Sequence, residues 1–313
     1  MILFKRLWRF ILTSDQSSLM LPKHLFCLSK ISLLILIIFC TSCDNVQQDE
    51  PDNFDFIDEA QKTVIVELIV NDLESLVLNS MINLDLQDPG GTVETHVDVS
   101  IFSVRGNCGR EIDTDQNRIT IDLGSCIDHF EILRGGIVTI DYSDSFDQPG
   151  NIISVSLSNY QYENISITGA FSILNTSESD SEVRNYEITF PETSLNLENN
   201  EDSFIFSGSR AIEVFEQPGS FRDPNVLSLV NASWNIMPVT GNNFEIATTT
   251  KLLHRIDCWS DGFYFPRSGI QEVLSNDSNF TIDYGKNNCG WELTLAFDGQ
   301  EAQQYTLQEL FNN

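Results

Sequence analysis

From about residue 92 onward, apolar and polar residues alternate with a period of two, in one short run after another. The runs are HVDVSIFSV (96–104), RITIDL (118–123), GIVTIDY (136–142), IISVSLSNY (152–160), NISITGAFSI (164–173), YEITF (186–190), SFIFSG (203–208), AIEVF (211–215), VLSLVNASWNI (226–236), NFEIATTTKLL (243–253), NFTIDY (279–284) and WELTLAF (291–297). Successive side chains of a strand point to opposite faces, so each run carries one apolar face and one wet face. Turn-forming clusters separate them: QDPGG, DQPGN, LENNED, EQPGS and TGNN. A parallel sheet would need helical crossovers, and none is visible between these runs. The expected fold is therefore mainly β, with about a dozen antiparallel strands in a two-layer sandwich or a twisted open sheet over residues 84–313. No repeat of fixed period emerges.

One segment breaks this texture. Residues 57–83 place apolar side chains at 65, 69, 73 and 76, with partners at 68 and 77. That spacing predicts an amphipathic N-terminal α-helix started near Asp58. The β-branched run Thr63-Val64-Ile65-Val66 pulls toward strand. The helix is expected to cover one apolar face or end of the sheet.

Ahead of the helix, ISLLILIIFC (31–40) follows Lys23, His24 and Lys30 and precedes Thr41, Ser42 and Cys43. A basic stretch, about ten mostly apolar residues and then small residues describe a signal region. A permanent span needs about 20 apolar residues. Small residues before a cysteine resemble a bacterial lipobox, although Cys40 stands where the pattern prefers Leu. Residues 1–42 are thus read as a signal region with its start at Met20, and Cys43 as the lipidated residue of the mature protein. Several acyl chains on one cysteine give stable anchoring where a single chain is marginal. Residues 43–56 read as an acidic, solvated tether. Its QQDE (47–50) resembles the short acidic signal that sends Bacteroidetes lipoproteins to the outer face of the outer membrane.

Five of 17 basic residues and one of 46 acidic residues precede Cys43, which leaves the chain from there on with a net charge of −33. A field of that sign repels phosphates, and no basic stripe offsets it, so nucleic acid is not an expected partner.

A short pattern recurs. RITIDLGSC (118–126) and NFTIDYGKNNC (279–289) share TID, one apolar or aromatic residue, Gly and a later Cys. RGGIVTID (134–141) and RSGIQEV (267–273) share Arg-x-Gly-Ile, in the opposite order relative to TID. These motifs, with FYFPRSGI before the final TIDYGKNNC, resemble an uncharacterised family of Bacteroidetes (flavobacterial) outer-membrane or surface lipoproteins over roughly residues 50 to 300. The resemblance implies a lipid-anchored location and a fold, and brings no activity with it.

Four cysteines besides Cys43 fall in the mature chain: Cys108, Cys126, Cys258 and Cys289. An even number in an exported protein reads as disulfides. Three pairings are possible, and the order along the chain favours 108–126 and 258–289. Zinc sites use close CxxC pairs, whereas the favoured pairs of these four cysteines are 18 and 31 residues apart.

Candidate chemistry is sparse. Asp113, Asp115 and Asn117 alternate like the opening of a calcium loop, but Arg118 and Gly124 stand where Gly and Glu belong. A polar hairpin turn closed by the disulfide accounts for them better, which leaves calcium at these three residues the weaker reading. His96, His129 and His254 sit in no catalytic motif, and GxSxG, HExxH and phosphate loops are absent. The chain is expected to be no enzyme and to need no cofactor. CWSDGFYFPR (258–267) is the best candidate recognition surface: Trp259, Phe263, Tyr264 and Phe265, with Arg267 beside them, could stack on a glycan or anchor another envelope protein. Trp234 and Trp291 could join them, or all could plug the β core. The expectation is a lipid-anchored envelope protein for binding, display or structure; the alternative is a glycan-binding accessory protein using 258–267.

Overall fold

The computed structural model describes residues 54–85 and 109–312, apart from 114, 128–131, 146–147, 180, 182, 197–201, 216–226, 256–257, 259–264, 276–278, 287–288 and 298. The alternating runs are strands. In chain order they are β1 (Gly109–Asp113), β2 (Arg118–Ile127), β3 (Leu133–Tyr142), β4 (Ile152–Tyr162), β5 (Ile165–Asn175), β6 (Val183–Asn196), β7 (Phe204–Phe215), β8 (Leu227–Pro238), β9 (Phe244–Arg255), β10 (Ser268–Ser275), β11 (Asn279–Lys286), β12 (Glu292–Phe297) and β13 (Gln303–Thr306). Each pairs antiparallel with its sequence neighbours, in the spatial order β1 to β13. The result is one open meander, so of the two expected architectures the twisted open sheet is the one adopted. The run at 96–104 lies outside the described residues.

The two runs 203–208 and 211–215 are one strand, β7. Its register against β8 is continuous from Phe204 to Phe215. Phe204, Phe206, Arg210, Ile212 and Val214 are all buried and all share one parity. An arginine at an inward position reads as a break in the alternation, yet the strand passes straight through it. Strands β1, β10 and β13 carry too short an apolar signal to stand out, and are found by pairing.

The helix, α1, spans Phe54–Asp85, slightly beyond the expected 57–83. At 32 residues it is about 48 Å long, close to the length of the longer strands. It is not amphipathic. Val64, Val66, Ile69, Val70, Leu73 and Val77 are fully buried, but so are Glu67, Asn71 and Asp72 on other faces. The reason lies in its partners. Phe56 packs on Phe280 of β11 and Phe297 of β12. Glu67 reaches β8 and β10, Asn71 reaches β7, and Asp72 reaches β3 and β4. The sheet curls around the helix and covers it from several sides at once. Among its described side chains a helix enclosed in this way has no continuous solvent face, so the expectation that it would cap one face or end is corrected. The β-branched run 63–66 lies inside it, because burial outweighs a propensity of a few tenths of a kcal/mol per residue. Its buried hydroxyls bond back to the preceding turn, Thr63 to the Glu59 carbonyl and Ser80 to that of Leu76, each at 2.8 Å.

The inward faces of β5–β8 meet the helix as an aromatic row. Phe171 stacks on Phe190 at 4.7 Å, and Phe190 and Phe206 both stand against Trp234 at 5.8 Å. A short C-terminal helix, α2 (Leu307–Asn312), closes the chain. Thr306 and Glu309 cap each other's backbone N–H at its start, a reciprocal capping box, and Leu310 accepts a bond from Gln61 of α1 at 2.6 Å.

Candidate functional site

The recurring motifs are where the chain becomes chemically distinctive. In both TID-x-G segments the Asp carboxylate accepts the N–H of the Gly two residues on: Asp122 from Gly124 at 2.9 Å, Asp283 from Gly285 at 2.8 Å. Both glycines have positive φ, 46° and 94°. Both Arg-x-Gly-Ile segments carry a β-bulge at the glycine, where the register shifts. Gly136 (φ 82°) lets the Asn159 carbonyl approach to within 2.0 Å of where a Cβ would stand. At Gly269 (φ 115°) the Lys251 carbonyl comes to 2.6 Å of that position. The arginine at the head of each segment is buried: Arg134 at 2% exposure and Arg267 at 0%. Strands β2 and β11 run in opposite directions, so the two units are inverted copies of one local design.

These arginines and Arg210 belong to a polar interior between sheet and helix. Arg134 forks onto Asp72 through Nε at 3.0 Å and Nη2 at 2.5 Å. Tyr160 donates its hydroxyl to the other oxygen of Asp72. The guanidinium also lies 5.5 Å from the centre of the Tyr162 ring. Burial, and next the Asp72 charge, push the Tyr160 hydroxyl well above its ordinary pKa, so it remains a donor. Arg210 donates to Asn71 at 2.8 Å and stands 3.4 Å from Glu74. Burial raises the Glu74 carboxyl, with Arg210 opposing and Glu67 reinforcing the shift. Glu67 accepts from Trp234 at 3.1 Å and from Gln271 at 2.8 Å, and Gln271 in turn accepts from Tyr284 at 2.5 Å. Such pairs add little net stability when intact, but removing one partner strands a buried charge at about 3–5 kcal/mol. They fix one axial position and one rotation of α1 inside the sheet. His254 of β9 completes the interior. Burial, then the charges of Arg210 and Arg267, hold its pKa well below 6.5, so it is neutral.

The residues singled out from sequence have divergent fates. Cys258 and Cys289 form a disulfide with Cα atoms 5.4 Å apart, which ties the β9–β10 connection to the β11–β12 connection. Cys126 is also disulfide-bonded; Cys108, its expected partner, and Cys43 lie outside the described residues, as do His96, His129, Trp259, Phe263 and Tyr264. Phe265 is fully buried, 5.0 Å from Tyr284 and 6.2 Å from Trp291. Arg267 is fully buried and donates to the Gly290 carbonyl at 2.9 Å. Neither Phe265 nor Arg267 presents itself to a ligand at the surface; both are buried in the connection that leads into β10 and support the fold. Trp234 is equally buried. Asp113 turns its carboxylate to the N–H groups of Asp115 and Gln116, both at 3.1 Å, and Arg118 pairs with Asp141 at 2.6 Å. That is the polar hairpin turn, with Asn117 at φ 50°. Among the described residues no group of three or more His, Cys, Asp or Glu is arranged to hold a metal ion.

Sequence reading missed the helix–sheet network, since a carboxylate on a helix ordinarily means a wet face. The signal was there in part: an Arg immediately before a bulge glycine, twice. It also missed a groove of about 350 Å³ on the β11–β13 side, lined by Asp283, Lys286, Glu292, Thr294 and Gln304.

Comparison with known proteins gives no match: no family model, no curated protein and no solved structure is similar to this chain.

Proposed function

We propose that this is a lipid-anchored envelope protein of the outer membrane, held by Cys43 and turned toward the cell exterior, whose β domain serves binding, display or structure rather than catalysis. The observation that carries it is where the anchor joins the fold. Ten residues, 44 to 53, separate Cys43 from α1; such a tether reaches at most about 35 Å. It leads directly into the element the sheet encloses. A domain tethered through its most deeply held element resists being pulled apart at its attachment point. Two buried carboxylates of the interior are held by neighbouring side chains, Asp72 by Arg134 and Tyr160, Glu67 by Trp234 and Gln271. That arrangement supports a structural use of them. No helix among the described residues is long and apolar enough to cross a membrane. The resemblance to Bacteroidetes surface lipoproteins points the same way.

Expression of the full chain in a bacterial host with labelled palmitate tests this. The wild type is expected to carry label and to sediment with outer membranes, and Cys43→Ala to lose the label. An unlabelled wild type would sink the proposal. Protease treatment of intact cells reads the orientation: an externally displayed domain is cleaved, and a periplasmic one is protected.

A further inference from the structure

We propose that the groove across β11, β12 and β13 is a binding site for a small, neutral, hydroxyl-rich ligand of the size of a mono- or disaccharide. This does not depend on the anchor. The strand register builds the site. Asp283 stands directly opposite Thr294, and Thr294 directly opposite Gln304, so three polar side chains of outward parity form one rung across three strands. Their neighbours Ile282 and Leu295 are buried with the opposite parity, and the buried Tyr284 and Leu293 also contribute to the lining. Glu292 and Lys286 flank the rung at one end, and Gly285 leaves the hollow between them without a side chain. The volume, about 350 Å³, falls at the small end of ligand-site sizes.

The chemistry selects the ligand class. Lys286 and the Gln304 amide donate, Asp283 and Glu292 accept, and Thr294 does both. A sugar hydroxyl also does both, and adjacent hydroxyls match an alternating row of donors and acceptors. Two carboxylates against one ammonium leave the groove net negative, which repels an anion. The mostly polar lining offers little to an apolar ligand. Glu292 is pre-oriented, because Gln304 donates to it at 3.0 Å diagonally across the strands, and Asp283 is fixed by its bond from Gly285 at 2.8 Å. Preorganised groups lose less freedom on binding.

The test is saturation-transfer NMR on the detergent-solubilised full chain with methyl β-glucoside, methyl β-galactoside, methyl α-mannoside, N-acetylglucosamine, maltose, lactose and, as a cationic control, spermidine, each at about 10 mM. Transfer to at least one sugar is expected, and at least tenfold weaker binding in Lys286→Ala/Gln304→Ala. Should that double variant lose its native circular dichroism, Thr294→Tyr, which fills the groove, replaces it and is expected to abolish transfer. No transfer to any sugar, transfer only to the cation spermidine, or sugar binding unchanged in a folded variant overturns the proposal.

Discussion

At the scale of single residues, His254 is the most informative side chain. Both ring nitrogens are buried with no hydrogen-bond partner among the described residues, and the nearest charges, Arg210 and Arg267, are of the wrong sign for an imidazolium. Its folded pKa therefore lies well below the unfolded 6.5. Stability is full above pH 6.5, where the ring is neutral in both states. As pH falls, the unfolded chain takes up a proton that the folded one refuses, and stability is lost until the folded pKa is reached. Glu74 works in the opposite sense: its raised pKa gives stability that is present below 4.5 and lost as pH rises through the folded value. Comparing wild type with His254→Leu cancels the Glu74 contribution. Urea unfolding is expected to show the wild type losing about 1.4 kcal/mol more than the variant between pH 7.5 and 5.5. Equal pH dependence of the two would mean that His254 titrates normally. Nothing in TTTKLLHRID marks this histidine as buried; its inward parity becomes visible only once β9 is paired.

At the scale of elements, the inverted Arg-x-Gly-Ile and TID-x-G units explain what their recurrence means. Each combines a bulge, a glycine that admits a neighbouring carbonyl, and an arginine delivered to the interior. The prediction belongs to the bulge. Gly136→Ala must relieve both a positive φ and a 2.0 Å clash with the Asn159 backbone, so chemical denaturation should show a loss above about 2 kcal/mol. Gly150→Ala has a similar φ, 81°, but nothing within 4 Å, and is expected to cost only about 1–2 kcal/mol. Equal losses would show that the close approach is unimportant. Sequence reading finds these motifs as a repeated string. It does not find their meaning, because a bulge is defined by the strand opposite. The same limit applies to Asp72 and Glu67: their carboxylates look like the wet side of a helix until Arg134, Trp234 and Gln271, brought from far along the chain, are seen to bond them.

At the scale of the whole molecule, an open sheet of neighbour-to-neighbour pairs curls around a helix that precedes it in the chain. The strands supply local contacts, while the helix supplies the long-range ones, as with Gln61 and Leu310. The Cys258–Cys289 bond encloses 31 residues of sequence separation and joins two connections on one end of the sheet. Restricting the unfolded chain by a loop of that size contributes about 3–4 kcal/mol. Replacing both cysteines with Ala should lower the unfolding free energy by that amount, and an unchanged melting temperature would show that the bond staples nothing. The sequence by itself determined most of the strands, their antiparallel pairing and the existence of the helix, and it favoured the 258–289 pairing that the structure shows. These follow from local periodicity, turn chemistry and order along the chain. Only the tertiary structure decided that the sheet curls around the helix rather than stacking on a second layer. That choice turned Phe265, Arg267 and Trp234 inward and converted the helix's polar side into a buried ionic lattice. The physical reason is that burial is a property of what surrounds a side chain, and curvature, summed over thirteen strands, is written in no single one of them.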